Sequence, residues 1–225
     1  MSFVFVTLYL WNVLIAGYAD KGYGEETMKY FEVMQDQGVL PDHLTYICGL
    51  KACAIMGTIR KGLEIHNEIA RKGFLEGDIV MASTLVDMYV KCGYLGMAKS
   101  VFSNLPVRDV ALWNSLISGY SQHGCPHLAL DCFEKMLKDG IEPDSHVFSC
   151  TLKSCASASA LQNGRLLHIQ IIKHGLKIDA IVGGSLVDMY AKCGNLEEGW
   201  DTLNTIHPQD VVSWNALISG YAQHC

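Results

Sequence analysis

Charge is scarce in this sequence. Only 18% of its 225 residues are charged, and acidic residues outnumber basic ones, for a formal net charge of −6 and a pI near 5.8. A nucleic-acid binder is expected to be basic as a whole, so any such site here has to be built locally. Nine cysteines occur without one Cys-x-x-Cys, and an odd number cannot all pair within the chain. No Asn-x-Ser/Thr acceptor is present either, and both absences fit a reducing compartment better than secretion. No glycine-rich phosphate loop and no nucleophile motif appears. Residues Phe3 to Ala19 carry no charge, yet they lack the basic start of a signal peptide and sit at the short limit for a membrane span. Their apolar core, Trp11 to Tyr18, recurs twice later among polar surroundings, so it reads as a repeat element.

What is present in quantity is hydrophobic residues, 50% of the chain, which suffice for a substantial core. They are arranged in repeats. Trp-Asn stands at 11–12, 113–114 and 214–215, each time opening WNVLIAGY, WNSLISGY or WNALISGY. Leu85-Val-Asp-Met-Tyr-Val-Lys-Cys-Gly93 returns 101 residues later as Leu186-Val-Asp-Met-Tyr-Ala-Lys-Cys-Gly194. Leu50-Lys-Ala-Cys53 returns as Leu152-Lys-Ser-Cys155, and Gly62-x-x-x-His66 as Gly164-x-x-x-His168. A module of about 101 residues is therefore present twice, and a third copy has begun.

An Asp closes each unit within the module. Cutting after Asp42, Asp78, Asp109, Asp144, Asp179 and Asp210 gives units 8–42, 43–78, 79–109, 110–144, 145–179 and 180–210, with a partial unit 211–225 and a remnant 1–7. Inside unit 110–144, Trp113, Leu116, Ile117 and Tyr120 follow the i, i+3, i+4, i+7 spacing of one helix face. Gly124-Cys-Pro126 breaks that helix, and Leu128, Cys132, Phe133 and Met136 form a second stripe. Each unit reads as a helical hairpin, and stacked hairpins bury what one alone leaves exposed. The expectation is an all-α, right-handed α-solenoid of about six and a half units with a concave inner surface.

Tetratricopeptide hairpins are close in length, but they place Gly where Ile117 stands, and their length does not vary in a fixed order. The chain resembles pentatricopeptide repeat (PPR) proteins of the plant class built from P, L and S motifs. WNxLIxGY with Pro41-Asp42 or Pro143-Asp144 resembles the P type. LKAC or LKSC with Gly-x-x-x-His resembles the L type, and LVDMYxKCG the S type. The resemblance covers residues 8–225, and the three signatures occur in register twice.

It implies single-stranded RNA recognition at one base per unit, by the fifth and last residues. The pairs are Asn12 with Asp42 and Asn114 with Asp144, similar to uracil readers, and Ser83 with Asp109, similar to a guanine reader. Ser149 with Asp179 is a further pair, Asp210 faces Gly184 in its unit, and Asn215 opens the partial unit. Ile47, in unit 43–78, has no hydrogen-bonding side chain to offer. The implied target is 5′-U-n-G-U-n-n-pyrimidine, parallel to the protein. The second residues, Tyr9, Leu44, Val80, Ala111, His146, Ile181 and Val212, are expected to sandwich bases. Lys91 and Lys192 stand where the family meets phosphate, or else cap helix dipoles.

His66-Asn-Glu68 has the H-x-E spacing of nucleobase deaminases, but the P-C-x-x-C that completes that zinc site is missing, so a packing histidine is expected. The cysteines recur with the repeat and read as small core residues, without metal or other cofactor. Asp87 with Lys91 and Asp188 with Lys192 are helix-supporting i, i+4 pairs. The expected role is a non-enzymatic specificity factor for organellar C-to-U editing or RNA processing, in mitochondrion or chloroplast. Its expected partners are single-stranded organellar RNA and editing-complex proteins, with no DNA and no membrane. The alternative is a protein-interaction α-solenoid of tetratricopeptide type, which has no reason to keep the Asn/Ser and Asp pairing. Both chain ends lack a polar cap, which leads us to expect a fragment.

Overall fold

The computed structural model describes residues 2–75, 77–105, 107–175, 179–206 and 211–224, and every regular element in them is a helix. The chain forms two compact units, Met1–Arg108 and Asp109–Cys225. In the first unit, α1 (Ser2–Asp20) pairs with α2 (Gly24–Asp36), α3 (His43–Met56) with α4 (Ile59–Arg71), and α5 (Ile79–Lys91) with α6 (Leu95–Ser103). In the second, α7 (Val110–Gln122) pairs with α8 (Pro126–Lys138), α9 (Ser145–Ser157) with α10 (Leu161–Lys173), and α11 (Ala180–Lys192) with α12 (Leu196–Thr205). The last helix, α13 (Val211–His224), packs on α11 and α12. From α3 onward, each first helix begins directly after one of the aspartates at which the units were cut. The remnant 1–7 is not a separate segment, since α1 runs unbroken from Ser2 through the expected boundary.

The residues that close the units explain where the helices start. Asp42, Asp78, Asp109, Asp144 and Asp179 are N-caps, each accepting a backbone N–H from the first turn of the following helix. Each such cap contributes about 1 kcal/mol. Within a hairpin the break is made differently. After α7, Gly124 takes φ 70°, and the Cys125 N–H returns 2.8 Å to the Tyr120 carbonyl. Pro126 then occupies the first turn of α8, where its missing N–H costs nothing.

First helices pack on first helices: α1 on α3 and α3 on α5 in one unit, α7 on α9, α9 on α11 and α11 on α13 in the other. Each second helix lies against its own first helix, and α2, α4, α8, α10 and α12 also touch the next one. This is the layering of an all-α helical repeat solenoid. Trp113, Leu116, Ile117 and Tyr120 are all buried, as the periodicity of α7 requires. On α8 the stripe is rotated from expectation. Ala129, Cys132, Phe133 and Met136 are buried, whereas Leu128 stays 40% exposed, because Ala129 takes the inward place one turn before Cys132. No described helix is long and apolar enough to cross a membrane.

The L and S signatures turn out to be one contact. Gly62 of α4 has the Met88 sulfur 2.6 Å from where a Cβ would stand, and Gly164 of α10 has the Met189 sulfur at 2.3 Å. One turn on, His66 Nδ1 lies 2.6 Å from the Tyr89 hydroxyl, and His168 Nδ1 lies 2.9 Å from that of Tyr190. Gly-x-x-x-His on one helix thus receives Met-Tyr from the next. This contact accounts for His66, the histidine of the H-x-E spacing. Among the described residues, no three His, Cys, Asp or Glu side chains converge as a metal site. Burial pushes the Cys48 and Cys53 thiols up to about 11 and that of Cys155 to about 12, so they stay protonated core residues.

Candidate nucleic-acid interface

From unit 43–78 onward, the second residue lies in the first turn of its first helix, one position before the buried stripe begins, whereas Tyr9 sits two turns into α1. That register points the second residue away from the core. Tyr9, Leu44, Val80, Ile181 and Val212 are 45–71% exposed, and Ala111 and His146 are exposed as well. Large apolar side chains are thus held in water at a regular interval, which costs solvation energy unless a ligand covers them. In the second unit, Ile181 and Val212 flank a cleft of about 440 Å³, floored by Ser149, Gly184 and Ser185 and bordered by Lys153 and Asp188.

Two of the expected pairs meet. Asn12 Nδ2 donates to Asp42 Oδ2 at 2.8 Å, and Asn114 Nδ2 donates to Asp144 Oδ2 at 2.8 Å. In each aspartate the other oxygen is occupied by the cap, from Thr45 N–H at 3.0 Å and Val147 N–H at 2.8 Å. One carboxylate therefore starts the next unit's first helix and orients the asparagine of its own unit. An amide that donates to a carboxylate cannot flip, since its oxygen would then face the charge. Burial alone would raise the Asp42 pKa, but the Thr45 N–H, the Thr45 hydroxyl and the Asn12 amide together hold it below the ordinary carboxylate value.

The other candidates are placed differently. The Ser83 hydroxyl donates to the Ile79 carbonyl of its own helix at 2.6 Å, while Asp109 caps α7 through the Leu112 N–H at 2.8 Å. Ser149 departs from expectation: it is 2% exposed, and its hydroxyl is engaged by that of Ser185 at 2.8 Å. The sixth residue of the next unit thus takes the hydroxyl that was expected to face a base. Asp179 is exposed and caps α11 through the Ile181 and Val182 N–H groups. Asn215 is exposed on α13, and Asp210 lies outside the described residues. Lys91 and Lys192 pair with Asp87 and Asp188 at 2.8 and 2.9 Å, at the C-terminal ends of α5 and α11. The lysines of the LKAC and LKSC motifs, Lys51 and Lys153, are exposed on first helices, and Lys153 borders the cleft. Their recurrence in the sequence was the signal that could have marked them.

The capping role also weakens one discriminator. An aspartate at the end of each unit starts a helix with or without a ligand, so a base-reading role would depend on the fifth residue and on the exposed second one.

Sequence comparison places these hairpins in a known class. The pattern of the PPR repeat family matches residues 7–55 and 108–157, and that of the PPR repeat matches 80–110, 184–206 and 212–225, together more than half of the chain. The chain belongs to the pentatricopeptide repeat family. It is 37% identical over 96% of its length to a chloroplastic pentatricopeptide repeat-containing protein of Arabidopsis thaliana, and 32% identical over 94% to a mitochondrial one. It spans 40% and 38% of the length of those two relatives. The crystal structure of PPR10 from maize superposes with a TM-score of 0.83 at 25% identity, covering 96% of this chain and 32% of PPR10. PPR10 in complex with an 18-nt psaJ RNA element superposes at 0.78 with 21% identity, covering 95% and 32%.

Proposed function

We propose that this chain binds single-stranded RNA along the face of its first helices, one base per unit, and that it serves organellar C-to-U editing or RNA processing by selecting the site. The observation that carries the reading is the repeated pairing of an Asn amide oriented by Asp with an exposed apolar residue three positions earlier. The apolar residue offers a face for stacking, and the amide, turned by the Asp, offers its second N–H in a fixed direction. The RNA held by PPR10, on a similar fold, supports the same ligand class. The names of the two relatives support a chloroplast or mitochondrion. Uracil suits Asn12 and Asn114, and guanine suits Ser83 with Asp109. Unit 145–179 contributes no base contact in this reading, because Ser185 already holds Ser149.

The test is a binding titration with a short single-stranded RNA containing U-n-G-U. Changing G to A should cost the ~1–3 kcal/mol of a lost base contact, and Ser83→Asn should remove that preference. If neither RNA binds at low salt, where phosphate contacts are strongest, the reading fails. A second reading, protein docking, is favoured by α10. Its Leu166, Ile169 and Ile172 are exposed, and the two isoleucines line a cleft of about 560 Å³ with His168, Tyr190 and Glu198.

A further inference from the structure

The two Asn–Asp pairs look alike in sequence but are held differently. In the second unit Asn114 has one anchor. Its Nδ2 donates to Asp144, and its buried carbonyl oxygen has no hydrogen-bond partner among the described residues. The residue on the far side of the cap is Val147, which has nothing to donate. In the first unit that position is Thr45. Its hydroxyl lies 2.8 Å from Asn12 Oδ1 and 2.7 Å from Asp42 Oδ1, and it accepts the Asp42 N–H at 3.1 Å.

A hydroxyl has one proton to give. Two oxygens 2.8 Å apart repel unless a proton lies between them, and neither an amide oxygen nor a hydroxyl oxygen has another to supply. Turning the Asn12 amide over would relieve that contact but would set its carbonyl against the Asp42 carboxylate. The Thr45 proton lies between its oxygen and both acceptors, shared by Asn12 Oδ1 at 2.8 Å and Asp42 Oδ1 at 2.7 Å, while the Thr45 N–H and the Asn12 amide also hold Asp42. Asn12 is then fixed at both ends, whereas Asn114 is fixed at one.

We infer that Thr45, the third residue of the following unit, is a specificity-determining positioning residue for unit 8–42, locking the Asn12 amide by a hydrogen bond that Val147 cannot give Asn114. This rests on the RNA reading above. An amide locked this way presents a second carbonyl lone pair and a second N–H in fixed places. That edge accepts from the uracil N3–H and donates to a uracil carbonyl. Cytosine has an acceptor at N3 and needs the opposite orientation. A lock at both ends therefore sharpens uracil over cytosine beyond what the Asp alone achieves.

The experiment measures the affinity of the full chain for two pairs of RNAs. One pair has U or C opposite unit 8–42, and the other has U or C opposite unit 110–144. Thr45→Val should narrow the U-over-C ratio at the first position by about 2- to 10-fold, the range of one net hydrogen bond, and leave the second unmoved. Thr45→Ser, which keeps the hydroxyl, should retain the ratio. Val147→Thr should widen the ratio at the second position. Thr45→Val keeps the backbone N–H that Asp42 accepts, so thermal melts should show a folded protein. RNA binding with an unmoved or wider ratio in Thr45→Val overturns the inference alone. Failure of the unaltered chain to bind any of the four RNAs overturns the RNA reading, and this inference with it.

Discussion

Residues 8–109 and 110–210 carry the same signatures, yet they differ in how completely their buried polar groups are partnered. In the first copy the Tyr46 hydroxyl donates to Glu68 at 2.7 Å. In the second, the equivalent residues are Phe148 and Gln170, and the buried Gln170 Oε1 has no partner among the described residues. Gly57 ends α3 at φ 65°, whereas its counterpart Ser159 takes φ 52° with a side chain attached. Thr45 completes a capping box and Val147 does not. The difference teaches that the repeat signature specifies the stacking contacts, while the polar groups between them are free to drift.

The stacking contacts give the largest expected effect. Gly62→Ala and Gly164→Ala each push a Cβ into a fully buried methionine side chain. Overpacking of this kind costs ~1–3 kcal/mol, against which alanine recovers up to ~1 kcal/mol of helix propensity. The sulfur is nearer at Gly164, so urea denaturation should show the larger loss there. Equal or opposite effects would break the view that Gly and Met form one joint.

The polar differences predict gains in the second copy. Ser159→Gly relieves a left-handed backbone and should raise stability by ~1 kcal/mol, while Gly57→Ser should lower it by a similar amount. Phe148→Tyr should supply Gln170 with the hydroxyl that Tyr46 gives Glu68, for a gain of ~0.5–1.5 kcal/mol that Gln170→Ala abolishes. A double-mutant cycle with no coupling would show that the two copies differ there in geometry as well as in chemistry.

One property should not differ between the copies. Burial lowers the pKa of both His66 and His168 below 6.5, with Glu198 partly opposing it at His168. The folded chain then binds fewer protons than the unfolded one as pH falls through 6.5, so stability drops over that window. Urea midpoints at pH 7.5 and 5.5 should show the drop. His66→Asn and His168→Asn, which keep a nitrogen or oxygen near the tyrosine, should each reduce it. An unchanged pH dependence in both variants would place its origin elsewhere.

The hairpins were legible because their start signal is local: an aspartate followed by an apolar run is a helix cap wherever it stands. The stripe on α7 was legible for the same reason. Leu128 was misplaced because a helix offers two neighbouring apolar rows, and packing on α9 decides which row faces inward. The Asn–Asp pairs were legible from their register. Ser149 was not, because its partner Ser185 lies 36 residues away and nothing in the local pattern announces it. Thr45 was within reach, since Asp42-x-x-Thr45 has the spacing of a capping box.

The double duty of the unit-closing aspartate bears on how such an array can evolve. On the proposed reading, the residue that helps choose a base must also begin a helix. Only Asp, Asn, Ser and Thr combine good capping with a side chain able to orient a neighbouring amide. Recognition at that place can therefore be rewritten with an alphabet of about four letters. A change to any other residue would alter the spelling and loosen the scaffold in the same step.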